Sequence, residues 1–468
     1  MPSSITPLPP EILSLVYQNL IDGEPARPAN TAEPLPSATE SPLYGQQAAA
    51  ARSRFIRVCR QFNDLDTAVL SMPRNEGAGH YMTRNTIEHL ATGPLDGFTQ
   101  GVGRLLGSHA NVEVDFSALP EAHAAMLLYL LHDAAGKPDR AFHSLRFEAS
   151  LDAMPMESIV AIDQAIGRLR GSARCANAQI AFKCSSSHSD HADPPDLRRL
   201  SNLTEAEFSS CPRWTVGPDF SGNPHLRRVG FESCSGMERL GDFSHNRELL
   251  GISVRRCGSL MDPPDLSRNP KLESVEFFEC GEVEGRLDVS RNPGLRRLDL
   301  SGCFALEELS DLSKNPRLET VKLETCVALT STLDLSKSPQ LEVLDLRVCG
   351  ALTGLSDLSV NAKLRDVRLA GCPEFHGIWD LSKNPELAML NLAVWGGAKG
   401  GLDLSGNQKL QKLWLTDCPE VTGLSDLSNN PALNEVSLLG CTGLANREQI
   451  AEDLRSRWPH GSPPTVHT

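Results

Sequence analysis

The chain of 468 residues has few aromatic residues, no excess of basic charge and no long apolar run, and each absence excludes a class of protein. Aromatic residues make up 5% of the sequence, so we expect a core of small aliphatic side chains. Lys and Arg number 45 against 59 Asp and Glu, and the net charge of −14 disfavours a nucleic-acid or anionic-membrane surface. No apolar run is long enough to span a bilayer. The opening MPSSITPLPPEI lacks the basic segment and apolar stretch of a secretory signal peptide, so we expect no classical secretion signal.

The second half of the sequence contains a repeat of 23 residues. Cysteine recurs at this interval, with Trp395 in one slot, at Cys211, Cys234, Cys257, Cys280, Cys303, Cys326, Cys349, Cys372, Cys418 and Cys441. The residue eight positions before each slot is always Leu, and the residues five and three positions before it are always apolar. This alternation predicts a short strand with one buried face. Strands repeated at a fixed interval bury that face by stacking on their neighbours, which predicts a parallel solenoid.

The pattern LxxLxLxxC resembles the leucine-rich repeat, with Cys in a slot more often filled by Asn. The half-motif LDLSKNP, found at 333–339 with Ser338 in place of Asn, is similar to the convex-side turn of bacterial leucine-rich repeats. The resemblance covers eleven copies over 203–445. It implies an α/β leucine-rich-repeat solenoid with a parallel β concave face.

The regions on either side of these copies are expected to extend or close the solenoid. Segments 111–117, 142–150 and 177–185 are predicted strands, and segments 122–134 and 157–170 have helical spacing between them. Residues 75–202 therefore resemble irregular, longer strand–helix repeats of the ribonuclease-inhibitor type. Residues 446–468 are predicted as a cap helix and tail, in which Asn446 caps a helix with Ile450, Leu454 and Trp458 on one face.

Two polar ladders each have a structural and a chemical interpretation. Each Cys is expected to be a small buried hydrophobe and weak donor, since parallel equivalent thiols bridge poorly and no CxxC pair is present for zinc. Free thiols indicate a reducing compartment.

An Asp lies eight residues after each slot, from Asp219 to Asp426, followed by x-Ser and then usually by Asn-Pro. We expect these Asp and Asn side chains to close turns on backbone amides, with bound calcium as the alternative.

The positions two, four and six residues before each Cys slot vary between copies and are expected to point out of the concave face. The candidate target-binding residues are Arg228, Arg255, Phe278, Lys322, Arg347, Arg368 and Trp414. A mixed-charge face with isolated aromatic residues suits a protein or peptide ligand, and the alternative is a merely solvated surface. The irregular copy at Trp395 and GGAKGG (396–401) is either a bulge that shapes a site or sequence drift.

The N-terminal sequence LPPEILSLVYQNL (8–20), followed by RVCRQFNDL (57–65), resembles the F-box, a small helical module that docks onto the Skp-family adaptor of SCF-type ubiquitin ligases. We expect residues 1–74 to form this module, with a disordered insertion at 22–50 where an F-box has a short loop. The resemblance implies an adaptor-binding surface, with the last three residues supporting it, made of Leu8, Pro9, Ile12, Leu13, Val16, Leu20, Val58, Cys59 and Phe62. The alternative is an amphipathic cap that only seals the solenoid.

No catalytic motif is evident, so we expect a non-enzymatic protein without cofactor or metal. The polar loop containing His188, Asp190, His191 and Asp193 is expected to be solvated, with metal binding as the alternative. An F-box joined to leucine-rich repeats resembles the GALA-like type III effectors of plant-associated bacteria. The resemblance implies a monomeric, secreted bacterial effector in the host cytoplasm that recruits an unknown target protein to a host SCF ligase. The alternatives are a decoy or inhibitor that binds without ubiquitin chemistry, and a calcium-stabilised surface adhesin.

Overall fold

The computed structural model describes residues 84–108, 111–136, 144–150, 155–170, 178–185, 193–372, 380–394, 400–456 and 464–468. The F-box-like segment 1–74 with its insertion 22–50, and the residues Trp395 and Trp458, lie outside the described residues. No helix among the described residues is long and apolar enough to cross a membrane.

Strands recur throughout the described residues. In chain order they are β1 (Asn111–Asp115), β2 (Ser144–Ser150), β3 (Ala178–Ser185), β4 (Leu203–Ser209), β5 (Arg228–Glu232), β6 (Gly251–Arg255), β7 (Ser274–Phe278), β8 (Gly285–Leu287), β9 (Arg297–Asp299), β10 (Leu306–Leu309), β11 (Thr320–Lys322), β12 (Thr332–Leu333), β13 (Val343–Asp345), β14 (Gly354–Leu355), β15 (Asp366–Arg368), β16 (Met389–Asn391), β17 (Gly400–Leu402), β18 (Lys412–Trp414), β19 (Val421–Leu424), β20 (Glu435–Ser437) and β21 (Thr465–His467). Fifteen of them form one parallel sheet in the order β1-β2-β3-β4-β5-β6-β7-β9-β11-β13-β15-β16-β18-β20-β21, and the other six form three two-stranded sheets, β8 with β10, β12 with β14 and β17 with β19. The predicted parallel solenoid is confirmed.

The buried columns of the repeat form one continuous core. The Leu eight residues before each slot and the apolar residues five and three before it are all buried, as Leu295, Leu298 and Leu300 illustrate in one copy. The apolar residue five before each slot pairs in register with its equivalent 23 residues later, for example Leu298 with Val321 and then Leu344. Because every copy buries the same positions, the core runs the length of the sheet without interruption.

Five helical segments lie within the described residues: residues 84–90, α1 (Leu95–Ser108), α2 (Glu121–Gly136), α3 (Met156–Arg170) and α4 (Arg447–Ser456). Prolines precede α2 and α3, where a missing amide hydrogen costs no hydrogen bond. The strands at 111–115, 144–150 and 178–185 and the helices α2 and α3 lie in the segments where the sequence predicts them. The domain boundaries at 74 and 202 stay predictions.

The convex turns are closed by the Asp ladder. Asp311 accepts a hydrogen bond from the backbone amide of Ser313 at 2.9 Å, and the same contact recurs from Asp219 to Asp426. In four turns the Asp begins a short 3-10 helix: Leu312–Lys314, Leu358–Val360, Leu381–Lys383 and Leu427–Asn429. The turn-closing role expected of the Asp side chains is therefore confirmed.

The Asn of each turn makes different contacts from those expected. It is fully buried, and its Nδ2 donates to two backbone carbonyls of the preceding turn instead of accepting from amides. Asn361 donates to the carbonyl of Leu335 at 3.1 Å and to that of Ser338 at 2.7 Å. The expectation that Asn closes on amides was wrong, because two inward-pointing carbonyls need a donor there.

The C-terminal end is closed by a strand as well as by the predicted helix. Of the expected apolar stripe in α4, Leu454 is buried and Ile450 is half-buried, and Ala451, which was not predicted, is buried beside them. The sequence analysis missed β21, which pairs with β20 and so covers the last edge of the sheet. Its three residues, Thr-Val-His, are too few for a sequence pattern to stand out.

Candidate functional site

The candidate site is the exposed face of the sheet over β4–β20, and its columns follow the strand register. Asp299, Lys322, Asp345 and Arg368 are in-register neighbours on β9, β11, β13 and β15. The column continues through Asn391 to Trp414. Parallel strands lie about 4.8 Å apart, so this column presents one side chain per strand at that spacing.

The other predicted target-binding residues lie in neighbouring columns of the same sheet. Arg255 pairs in register with Phe278, and both follow Glu232. Arg228 starts β5 and is exposed. Arg347 lies two residues after the end of β13 and contacts Asp345, the last residue of that strand. The structure therefore brings the predicted residues to one sheet, although binding by them stays a proposal.

Ion pairs between neighbouring turns cover this face, a feature that sequence analysis did not identify. Arg255 contacts Glu276 at 2.6 Å. Lys322 lies 3.8 Å from Asp299, and the residues of each pair lie on adjacent strands. Because charges of opposite sign alternate between turns, the face is locally neutral and does not suit a strongly charged ligand.

A buried carboxylate anchors the centre of the face. The side chain of Asp345 is only 7% exposed, and its Oδ2 lies 2.8 Å from Arg347 and 3.9 Å from Arg368. Arg347 also contacts Glu324 at 2.7 Å, and Arg368 contacts Asp366 at 2.8 Å. The hydrogen bond to Asp345 raises the pKa of Arg347, and the one to Asp366 raises the pKa of Arg368. Both guanidinium groups are therefore held in fixed positions on the face.

Trp414 is held in place by its neighbours. Its indole Nε1 donates to Glu435 at 2.9 Å, and the Lys412 ammonium lies 5.5 Å from the ring centre. Lys412 also contacts Glu435 at 3.1 Å, and its hydrogen bond lowers the pKa of that carboxyl. The half-buried Met389 on the neighbouring strand pairs in register with Lys412. A half-exposed, oriented indole is the kind of anchor found at protein interfaces.

The Cys ladder lies beneath the turn that follows each strand and takes no part in the exposed face. All ten ladder cysteines are buried and free of disulfides. The thiol of Cys349 donates to the carbonyl of Leu323 at 2.8 Å, and that of Cys441 donates to the carbonyl of Leu415 at 2.7 Å. Their expected role as small buried donors is confirmed. Burial raises the pKa of the Cys280 thiol to about 12.

A carboxylate cluster at the N-terminal edge of the sheet was also missed. Arg84 contacts Glu88 at 3.0 Å, Asp115 at 2.6 Å and Glu148 at 2.8 Å. Burial opposes the charge of Arg84, but the hydrogen bond to Glu88 and the charges of Glu148 and Asp115 raise its pKa. The cluster joins the helical residues 84–90 to β1 and β2, which gives it a structural role.

Other predicted sites lie outside the described residues. These are all the adaptor-binding residues (Leu8, Pro9, Ile12, Leu13, Val16, Leu20, Val58, Cys59 and Phe62), three residues of the polar loop (His188, Asp190 and His191) and most of the glycine-rich segment 396–401. Within the part of the chain that the structure describes, no group of three or more His, Cys, Asp or Glu residues is placed to hold a metal ion.

Comparison with known proteins yields structural neighbours but no sequence relatives. No family model matches the chain. No curated protein matches it either. The F-box and GALA-like resemblances therefore gain no support from these two searches.

The structural neighbours are leucine-rich-repeat proteins. A leucine-rich-repeat protein of Leptospira interrogans is 11% identical, with a TM-score of 0.24, and the match covers 59% of this chain and 93% of that one. The fold is a leucine-rich-repeat solenoid. The leucine-rich-repeat domain of the type III effector XopL is 14% identical, with a TM-score of 0.22, over 80% of this chain and 95% of that domain. The PEPR1–AtPEP1 structure is 13% identical, with a TM-score of 0.18, over 63% of this chain and 61% of that one.

At such low identities and TM-scores, the assignment of the leucine-rich-repeat fold depends on this chain's own geometry. The observations that support this assignment are the 23-residue register, the buried columns and the parallel sheet. This solenoid fold is typical of protein-binding scaffolds.

Proposed function

We propose that this chain is a non-enzymatic scaffold whose concave face binds a polypeptide partner. The observation that carries the proposal is the column from Asp299 to Trp414, in which the side chains vary from copy to copy beside columns that stay apolar. Asp345 and Asn391 are buried in this column and the other four residues are half-buried. Residues that pack the core explain the repeat itself, but nothing in the packing requires the arrangement of charges on this face. A variable surface on a constant scaffold suits recognition of one specific partner.

The chemistry of the face favours a partner with mixed polar and apolar groups. Paired charges such as Arg347 with Glu324 orient a ligand and fix its register more than they add affinity. The held indole of Trp414, with Lys412 over its ring, provides an aromatic anchor. We expect the partner to insert an apolar side chain beside Trp414 and to hydrogen-bond across the Arg347–Arg368 group.

The face is tested by proximity labelling in plant cells with two matched double variants. Arg368→Ala with Trp414→Ala removes two groups of the proposed site. Arg317→Ala with Tyr129→Ala removes an Arg and an aromatic residue, both exposed, at other positions. We expect the first variant to lose specific labelled proteins that the second retains, at equal melting temperatures. Identical labelling by wild type and both variants would contradict binding by this face.

We further propose that the N-terminal segment docks onto the host Skp-family adaptor, so that the bound partner is presented to an SCF-type ubiquitin ligase. This proposal depends on the F-box-like sequence, because residues 1–74 lie outside the described residues. Secretion by a bacterium into the host cytoplasm belongs to the same proposal. Catalysis would belong to the recruited ligase, and the scaffold would act by raising the effective concentration of the partner's lysines.

A pull-down with a plant Skp-family protein tests the adaptor function separately. Wild type and the Arg368→Ala/Trp414→Ala variant should both retain the Skp-family protein, whereas a Leu8→Ala/Pro9→Ala/Leu13→Ala variant should not. If wild type retains it no better than the N-terminal variant does, the adaptor function is wrong. A partner that still bound the concave face would then favour the decoy or inhibitor.

A further inference from the structure

A second surface, separate from the concave face, lies on the turn that follows each strand. We call it the rim strip and define it by Phe304, Val327, Val348 and Val394. Phe304 and Val327 follow a Cys slot by one position, and Val348 and Val394 precede a slot by one position. The four residues occur in copies that follow one another along the solenoid, except that the copy of Cys372 is skipped. Their side chains are 52%, 46%, 48% and 54% exposed. Four large apolar side chains are thus half-exposed along one edge.

Charge is absent from the whole length of this edge. The eight described residues that flank the slots from 302 to 394 include no charged residue, in a chain with 22% charged residues. Outside this window three of the twelve flanking positions are charged, Arg256 and Glu279 on one side and Asp417 on the other. The window differs from the rest of the edge by combining this lack of charge with four half-exposed large apolar residues, which indicates a surface that a partner covers.

Backbone strain supports the same conclusion. The residue before every Cys slot has a left-handed backbone, with φ of 58° at Val348, 55° at Val394 and 76° at Gly371. Glycine fits this conformation and occupies it in Gly371, whereas a β-branched residue is strained there. Because Val348 and Val394 are about half exposed, packing within the chain does not explain why valine stands there.

The spacing of the strip matches one kind of occupant. Neighbouring turns of the solenoid are about 4.8 Å apart, which is close to the rise of about 5.4 Å per turn of an α-helix. An apolar stripe at i, i+4 and i+7 would therefore place one side chain against each successive copy. An extended peptide repeats each face about every 6.8 Å and would lose register within a few copies.

The charges at the ends of the strip favour a basic helix. Glu279 lies at one end, with its side chain 53% exposed, and Asp417 is exposed at the other. Glu324 lies between them on the neighbouring column and is 38% exposed. Arg256 and Arg347 partly neutralise Glu279 and Glu324, and with the exposed carboxylate of Asp417 these five side chains keep a net charge of −1.

We propose that the rim strip binds a basic amphipathic α-helix of a partner protein, laid along the solenoid so that each helical turn meets one copy. The five copies from the slot of Cys303 to that of Trp395 span about 19 Å, which a helix of about 13 residues covers. This surface is distinct from the concave face, and the two can be occupied together.

Selection from a library of displayed random peptides of about 16 residues tests the proposal on the full-length protein. We expect the selected peptides to be basic, with apolar residues at i, i+4 and i+7. Binding should be at least about ten-fold weaker to a Val327→Glu/Val348→Glu variant. The variant should fold, since Glu279 already occupies the left-handed position equivalent to Val348. Circular dichroism and the melting temperature would verify this.

Controls separate the rim strip from other surfaces. Val216→Glu with Val360→Glu places the same charges at similarly exposed valines elsewhere and should leave binding within about two-fold. The Arg368→Ala/Trp414→Ala variant should also bind the peptides normally, whatever becomes of the concave face. A milder rim variant, Phe304→Ser with Val327→Thr, should weaken binding without adding charge. Selected peptides with alternating apolar residues, no selected peptide at all, or equal loss in the control variant would each overturn the proposal.

Discussion

At the scale of single residues, the Asn column is the clearest case of a side chain whose role depends on its burial. Asn407 donates to the carbonyls of Leu381 and Asn384, both at 2.8 Å, and is fully buried. Such bonds stabilise the fold mainly because their loss would leave two buried carbonyls without donors. One copy departs from the pattern: Ser338 makes a single contact of this kind, to the carbonyl of Asn315 at 3.2 Å.

The departure at Ser338 predicts a stabilising substitution. Ser338→Asn should restore the second hydrogen bond, to the carbonyl of Leu312, and raise the free energy of unfolding by about 1 kcal/mol. The reverse change at a regular copy, Asn361→Ser, should lower it by a similar or larger amount. Urea denaturation measures both. Equal destabilisation by the two changes would contradict this role of the column.

Truncation of a buried column should cost more than truncation of an exposed one. Leu344 is fully buried, and Leu344→Ala should lower the free energy of unfolding by about 2–5 kcal/mol, measured by urea denaturation. Glu273→Ala, at an exposed position, is the control and should change the free energy of unfolding little.

From the sequence alone, Asp299→Ala would also be expected to change the free energy of unfolding little. Because Asp299 accepts hydrogen bonds from the amide and hydroxyl of Ser301, we expect about 1 kcal/mol there.

At the scale of the turn, the Asp ladder makes stability depend on pH. Hydrogen bonds from the amide and hydroxyl of Ser313 hold the pKa of Asp311 below its ordinary value. A carboxyl with a lowered folded pKa stabilises the fold above its unfolded pKa of about 3.9, and this contribution is lost as pH falls through the folded value. Asp311→Ala should therefore lower stability by about 1 kcal/mol at neutral pH.

The same substitution should have almost no effect once the carboxyl is protonated. Thermal unfolding of wild type and Asp311→Ala from neutral pH to about pH 2 measures the difference, which should begin to shrink near the unfolded pKa and disappear below the lower, folded pKa of Asp311. Glu284→Ala, at an exposed position, serves as the matched control. A difference that persisted at low pH would show that the carboxylate charge is not what closes the turn.

The Cys ladder should be inert in the folded protein. Burial raises the pKa of the Cys280 and Cys326 thiols to about 12, so at pH 8 roughly one in ten thousand is a thiolate. Mass spectrometry after treatment with iodoacetamide should find these two residues unmodified in native protein and alkylated in urea. Alkylation at the same rate in both states would mean that the ladder opens to solvent.

At the scale of the whole molecule, the repeat period and the buried columns were predictable from sequence, because a fixed interval of Leu and Cys has few other ways to bury its apolar face. The pairing of Arg347 with Glu324 was not, since it depends on how two exposed side chains orient across neighbouring turns. The strand β21 was missed because three residues carry no period. The strain at Val348 belongs to the backbone and leaves no residue-type signal, since eight of these left-handed positions are not glycine.

The central claim is that two sets of columns have different roles. The buried columns stabilise the fold of the solenoid, and the columns of the exposed sheet face bind a partner. A site-saturation scan of residues 203–445, scored by resistance to proteolysis, tests it most directly. Tolerance should follow the 23-residue period, with losses at the Cys slot and at three, five and eight positions before it. Tolerance should be broader at two, four and six positions before the slot, except at the buried Ser301, Asp345, Asn391 and Ser437 and at Asp299, which accepts two hydrogen bonds. Losses of equal size at the exposed and buried columns would contradict the account, because the exposed face would then be needed for folding.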